Sequence, residues 1–227
     1  MKQSIQLAVD ALLGHDYVVC LTGAGMSVES GIRPFRGPGG LWTERGEPPL
    51  DDYSRFVRDP AGYWRQLLAP EGFRHDLESA LASAKPHEGY LALVALETLG
   101  VIKSIITQNI DGLHRKAGGR NVIELHGNHA LYRCVACESR ISRSEVDITI
   151  LPPRCGLCGG VMKDDVVVFG EPIPDDVGER CAEEVGKTDC MVLIGTSAYV
   201  FPAAGFPRRV ASHGGLLIEI GPHPTEI

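Results

Sequence analysis

The sequence predicts an α/β fold: a parallel sheet with helices on both faces, carrying a small four-cysteine zinc module. Three observations predict it. Short β-branched apolar runs alternate with stretches of helical periodicity, as in strands joined by crossover helices. Two of those runs, Val101–Thr107 and Val122–Leu125, stop at polar residues: Gln108, Asn109 and Asp111 after the first, His126 after the second. Polar groups at the carboxyl ends of buried strands are where open α/β sheets bind ligands, although each end taken alone is also an ordinary polar cap. Finally, Cys134 and Cys137 form one CxxC pair and Cys155 and Cys158 another, with residues 138–154 between them. That spacing is that of a zinc ribbon.

The 227 residues suffice for one domain, or for one large domain with a small insert. Hydrophobic residues make up 44% and charged residues 22%, ordinary for a globular chain able to bury a sizeable core. The net charge of −7 argues against a general nucleic-acid binder and is compatible with cationic partners such as lysine-bearing peptides. No apolar run is long enough for a membrane span, and the N-terminus lacks the apolar core of an export signal, so the expected location is cytoplasmic. In that compartment paired cysteines point to metal before disulfide.

In chain order, Ile5, Ala8, Val9, Leu12 and Leu13 recur at helical spacing over residues 2–13. Tyr17–Thr22 is a buried-strand run that leads directly into Gly23, Ala24 and Gly25. A strand, a glycine turn and a helix start suit a pyrophosphate, because glycine admits close approach and helix N-terminal amides favour its charge; the same glycines also make a tight turn. Residues 32–75 are rich in glycine and proline at first. They read as a loop in which Phe35 and Arg36 either cover a ligand or anchor a surface excursion, followed by short helices over Tyr53–Leu68. Pro86–Gly100 reads as an amphipathic helix with Leu91, Leu93, Val94, Leu96 and Leu99 on its apolar face. Four thiolates would close a tetrahedral shell with no open position, which makes the zinc site structural. Asp165–Gly170 reads as a strand ending in a turn, Asp175–Val185 as a helix and Cys190–Ile194 as a buried strand. That strand ends at Gly195, Thr196 and Ser197, small and hydroxylated residues suited to ribose or phosphate. Phe201–Arg209 reads as a helix started by Pro202, and Leu216–Ile220 as the last strand. Cys20, Cys181 and Cys190 are core or surface thiols.

Together these residues resemble the sirtuin family of NAD-dependent protein-lysine deacylases, in its bacterial or archaeal form. The resemblance rests on Gly23–Ile32, Thr107–His114, Glu124–Gly127, the paired cysteines, Val168–Glu171 and Gly195–Ala204, in that order, and covers about residues 15–220. It implies a Rossmann-like domain (1–31, 76–129 and 164–227), a zinc module (130–163), and a segment, 32–75, that supplies the cofactor loop and the helical part of the small domain. It implies that Gly23, Ala24 and Gly25 contact the NAD pyrophosphate, and that Phe35 and Arg36 close over the cofactor. Gln108, Asn109, Ile110 and Asp111 would hold the nicotinamide ribose and carboxamide, and Gly195, Thr196, Ser197 and Glu219 the adenosine side. Val168, Phe169 and Gly170 would pair with the substrate backbone as an added strand. Cys134, Cys137, Cys155 and Cys158 would bind one structural zinc, and His126, with Asn109 beside it, would be catalytic.

The implied reaction is removal of acetyl or longer neutral acyl groups from lysine, giving nicotinamide and an O-acyl-ADP-ribose. The amide oxygen attacks the ribose as nicotinamide leaves, and a base must then deprotonate a ribose hydroxyl. An imidazole, titrating near neutrality, suits that task. Acyl-lysine proteins or peptides are the implied partners, with neither nucleic acid nor membrane. The chain departs from the family pattern in having Pro34 where an aspartate is usual and Glu219 where an asparagine is usual; it also ends early, at Ile227. A Tyr-x-x-Arg pair, which marks preference for acidic acyl groups, is not found in residues 60–75, since Tyr63 and Arg65 are wrongly spaced. The competing readings are an NAD-dependent protein ADP-ribosyltransferase and a non-catalytic zinc module.

Overall fold

The structure is a computed structural model that describes residues 2–47, 49–222 and 225. Its main sheet has five strands, β1 (Val18–Thr22), β2 (Ile102–Thr107), β3 (Val122–Glu124), β7 (Cys190–Ile194) and β8 (Leu216–Ile220), ordered β3-β2-β1-β7-β8. All neighbours are parallel. Parallel sheets are covered on both faces, which is why the central strands β1 and β7 are nearly continuous apolar runs rather than alternating ones, while the edge strand β8 is partly exposed. In β1, Val18 and Cys20 face one core, with Tyr90, Leu93 and Leu113, while Val19 and Leu21 face another, with Val177, Cys181 and Val210. The first core is closed by α5 (Phe73–Ser83) and α6 (Glu88–Thr98), the second by α8 (Asp175–Lys187) and α9 (Gly205–Ser212). The short α7 (Leu113–Lys116) follows β2, and α1 (Lys2–Leu13) lies on the outside with only Leu12 resting against the first core.

A second, antiparallel sheet of three strands is ordered β5-β4-β6, with β4 (Leu131–Cys134), β5 (Arg140–Ser142) and β6 (Met162–Asp164). Residues 41–68 supply α2 (Leu41–Arg45), α3 (Asp52–Arg58) and α4 (Pro60–Leu68). Helix α4 packs on the small sheet: the buried Trp64 ring lies 4.8 Å from Tyr132, and its Nε1–H donates to Met162 O at 2.8 Å. Among the described residues no helix is long and apolar enough to cross a membrane.

Several expectations need correction. The 32–75 segment holds more helix than its loop composition suggests, since α2 and the start of α5 also fall in it. Of the apolar face expected for α6, Leu93 is buried and Leu96 packs against the same core, joined by Tyr90, whereas Leu91 and Leu99, the latter just past the helix end, face solvent. The helix start expected after Gly23 is present, as a 3-10 helix over Ala24–Ser30. Residues 165–170 are not a strand: β6 ends at Asp164 and, among the described residues, Val166–Gly170 has no neighbouring strand to pair with, despite its β-branched composition. Helix α9 begins at Gly205, not Pro202, because residues 201–204 form a turn.

Candidate active site

Strand order reverses at β1, whose neighbours β2 and β7 lead away in opposite directions. The carboxyl ends of strands at such a switch point border the natural crevice of an open α/β sheet. A cleft of about 1900 Å³ opens there, lined among others by Gly23–Met26, Phe35, Arg36, Gln108–Ile110, His126, Val166–Gly170, Gly195–Ser197 and Glu219. Asp111 lies just beyond, beside a side pocket shared with Ala24, Ser27, Phe35 and Asn109. Every site residue expected from the sequence, the cysteines apart, therefore borders one continuous region.

The glycine turns at the ends of β1 and β7 interlock. Gly25 N–H donates to Gly195 O at 2.8 Å, and a Cβ on Gly25 would sit 2.8 Å from Gly195 Cα. Gly195 has φ +58, and a Cβ there would meet Met26 N at 2.3 Å. No larger residue fits at either position without moving backbone. Gly23 N–H donates to Ile194 O, so of the three amides expected to face a pyrophosphate only Ala24's is not already engaged by the chain. Across the seam, Gln108 Nε2 donates to Thr196 Oγ1 at 2.8 Å.

A buried polar cluster lies behind this turn, and the sequence reading did not find it. Asn109 Nδ2 donates both its hydrogens, to Gly23 O and to Ser27 Oγ, each at 3.0 Å. Ser27 Oγ donates in turn to Asp111 Oδ2 at 2.6 Å and lies 3.0 Å from Tyr90 OH. Asp111 Oδ1 accepts from Leu113 N–H at 2.8 Å. With both amide hydrogens committed, Asn109 can present only its carbonyl oxygen to a ligand. A second chain runs beneath. Asn109 N–H and Thr22 Oγ1 both donate to Thr107 Oγ1, so Thr22 must accept from His114 Nε2–H, at 2.9 Å. That leaves His114 Nδ1 buried and without a partner, and burial lowers the His114 pKa to about 4. Tyr90 and His114 carried no sequence signal beyond core position and motif membership; Ser27 could have been suspected from its place in the glycine loop.

His126 leaves the end of β3. Its Nδ1 lies 3.1 Å from Gln108 O, and a carbonyl can only accept, so Nδ1 carries the proton and Nε2 is the basic nitrogen. Burial lowers its pKa, partly opposed by that carbonyl, so the imidazole is neutral at pH 7. The following residue, Gly127, has φ +78, and a Cβ there would lie 1.5 Å from Asp165 O, so the chain crosses here at contact distance. On the cleft rim, Phe35 and Trp42 pack at 4.7 Å, and the Arg36 guanidinium sits over the Trp42 ring while pairing with Glu47 at 2.7 Å. Val167 N–H donates to His126 O, Phe169 O accepts from Tyr53 N–H, and both backbone groups of Val168 are engaged by Glu171. Glu219 accepts from Thr225 N–H at 3.0 Å. Arg74, which the sequence reading passed over, also lines the cleft.

Away from the cleft, the Sγ atoms of Cys134, Cys137, Cys155 and Cys158 all lie within 4.8 Å of one another. Cys134–Cys158 are 3.5 Å apart and Cys137–Cys155 3.8 Å. Four thiolates at ~2.3 Å from a tetrahedral zinc sit about 3.8 Å apart, so the donor set fits that ion. The thiols are not joined as disulfides. Ala136 N–H and Gly160 N–H point at Cys134 Sγ and Cys158 Sγ, each at 3.4 Å, as second contacts to charged sulfurs. These cysteines hold β4 to the 155–162 turn, and no part of the cleft.

The model of the Sir2 family matches residues 23–202. The chain belongs to the Sir2 family. Among Sir2 relatives, the NAD-dependent protein deacylase 2 of Pyrobaculum aerophilum is 40% identical over 218 residues, spanning 96% of this chain and 84% of its own. The NAD-dependent protein deacylase of Aeropyrum pernix is 43% identical over 214 residues, spanning 94% and 84%. A Sir2 homologue solved with NAD superposes with a TM-score of 0.77 at 39% identity, covering 97% of this chain and 84% of that one. A Sir2 protein solved with a p53 peptide and NAD+ gives 0.77 at 33% identity, covering 98% and 88%.

Proposed function

We propose that this Sir2 protein removes acyl groups from protein lysine with NAD as co-substrate, transferring the acyl group to ADP-ribose. The observation that carries the reading is His126: a neutral imidazole lining the cleft, its Nδ1–H held by Gln108 O so that Nε2 is the basic nitrogen, in a cleft also lined by Asn109, whose amide hydrogens are both engaged. NAD supplies an electrophilic ribose carbon with nicotinamide as leaving group. The residues do the rest. Ala24 N–H and the Gly23–Gly25 turn admit the pyrophosphate, while Thr196, Ser197 and Glu219 meet the adenosine side. Asn109 accepts a hydrogen bond from a ribose hydroxyl or the carboxamide, with Gln108, Ile110 and Asp111 framing the same end. Phe35 and Arg36 cover it. His126 Nε2 takes the hydroxyl proton that must leave for oxygen to attack the acyl carbon.

The acyl-peptide would pair with the 166–170 segment. Since Val168 is already bonded to Glu171, the groups open to it are Val167 C=O, Phe169 N–H and those of Gly170. The zinc would hold the small sheet without entering the chemistry, and the preferred acyl groups are neutral. Protein deacylation is tested by supplying NAD and acetyl-lysine peptide and identifying products by mass. O-acetyl-ADP-ribose and free lysine are expected, whereas ADP-ribose left covalently on protein would establish the transferase reading. His126→Ala is expected to lower kcat by about a hundred- to ten-thousand-fold while keeping its zinc. Near-normal turnover in that variant would remove the imidazole from the mechanism.

A further inference from the structure

The small sheet carries two cations where a sheet should not tolerate them. Arg133 on β4 stands directly opposite Lys163 on β6, so both side chains leave the same face. Their side chains are 6% and 0% exposed. Like charges placed opposite one another destabilise a strand pair, and burying either alone is costly. Each cation has a carboxylate of its own, Asp165 for Arg133 at 3.1 Å and Asp164, on β6 itself, for Lys163 at 3.2 Å, but the one that bridges both comes from outside the sheet. It is Glu171, whose side chain is 2% exposed and which ends the unpaired 166–170 segment. Glu171 Oε1 accepts from Arg133 Nη2, and Oε2 lies 3.0 Å from Lys163 Nζ.

The same carboxylate shapes the segment. Oε2 also accepts from Val168 N–H at 3.1 Å, and Glu171 N–H donates back to Val168 O at 3.1 Å. Lys163 Nζ donates further to Val166 O. Among the described residues segment 166–170 has no neighbouring strand, so beyond the Val167 bond to His126 and the Phe169 bond to Tyr53 its backbone is shaped by Glu171 and the cations that grip it. We infer that Glu171 is a positioning residue: clamped between Arg133 and Lys163, it holds the 166–170 backbone in the form that receives the acyl-peptide. This rests on the reading of 166–170 as the peptide edge. Arg133 adjoins Cys134, so the small sheet serves as the fixed anchor for a site it does not line.

The test measures KM for an acetyl-lysine peptide, KM for NAD, kcat, zinc content and thermal stability in Glu171→Gln and in the charge-balanced double variant K163Q/E171Q. Hydrogen exchange of residues 166–170 is followed in the wild-type protein with and without peptide. In both variants peptide KM is expected to rise roughly tenfold or more, with NAD KM and kcat within about twofold and zinc retained. In the double variant stability recovers toward wild type while peptide KM stays high. If Glu171→Gln does not fold, the double variant alone decides. A peptide KM within about twofold of wild type in a folded variant overturns the proposal, as does recovery of KM and stability together. Failure of the peptide to protect residues 166–170 in the wild-type protein refutes instead the reading on which it rests.

Discussion

His114 is expected to make this protein acid-labile by a definite amount. Its Nε2–H is held by Thr22, its Nδ1 is buried with no partner, and the ring packs 4.7 Å from Tyr90. A proton added at Nδ1 would place an unpaired charge in a dry pocket, so desolvation lowers the pKa from 6.5 to about 4. The unfolded chain takes up this proton as pH falls through ~6.5, whereas the folded chain does not until about 4. The depressed folded-state pKa thus gives a stability contribution that is intact above the unfolded value and is lost as pH falls through the window from 6.5 to about 4. At ~1.4 kcal/mol per unit the whole window is worth on the order of 3 kcal/mol, and about 2 kcal/mol of it is gone by pH 5. His114→Gln can keep the donor to Thr22 and removes the titration. Urea unfolding of both proteins at pH 7 and pH 5 isolates the effect, because thiolate, His126 and His129 contributions are common to both. The wild type should lose about 2 kcal/mol more than the variant between the two pH values. Equal losses would refute the account of an unpartnered neutral imidazole.

Gly127→Ala should destabilise the fold by about 3 kcal/mol or more, since the added carbon falls on Asp165 O at a positive φ; a Tm close to wild type would refute the close crossing. Removing zinc with a chelator, or Cys155→Ser, should loosen β4 and the 155–162 turn, and with them the packing of Trp64 on Tyr132, giving a red-shifted tryptophan emission; unchanged emission with the metal gone would show that the small sheet stands without it. In a panel of acyl-lysine peptides succinyl should be poorest, because Tyr63 OH is committed to Asp164 and the exposed Arg65 faces Asp59. Arg74 is the cleft's cation from that region, so a succinyl rate matching acetyl and collapsing in Arg74→Gln would overturn the preference for neutral acyl groups.

How much was legible in the chain follows from how local each signal is. The central strands β1, β2 and β7 announce themselves because both faces are covered, which favours long apolar runs, whereas the edge strand β8 was legible from its apolar composition although no residue of it is buried. The cysteine set was legible because zinc dictates ligand type and spacing within one short module. Asn109, Asp111 and His126 were legible because a polar residue at the end of an apolar strand stands out without knowledge of its neighbours. The errors came where local pattern and tertiary context part company. Val166–Val168 is as β-branched as any strand here but has no partner strand, so it cannot become one. Pro202 suits a helix start, yet the chain turns there and the helix begins at Gly205.

From its sequence alone this protein's strand order of appearance, its metal ligands and the polar tips of its strands could be written down, since each depends on residue type within a few positions. Only the folded structure decided which hydroxyl joins Asn109 to Asp111, supplied by Ser27 from 82 and 84 residues away, and which carboxylate separates Arg133 from Lys163. It also decided that His126 Nδ1 faces Gln108 O, which leaves Nε2 as its unprotonated nitrogen, and that His114 Nδ1 is buried without a partner. Those properties belong to contacts closed across long stretches of chain, where burial and a partner's donor or acceptor set the protonation state; no short stretch of sequence carries that information.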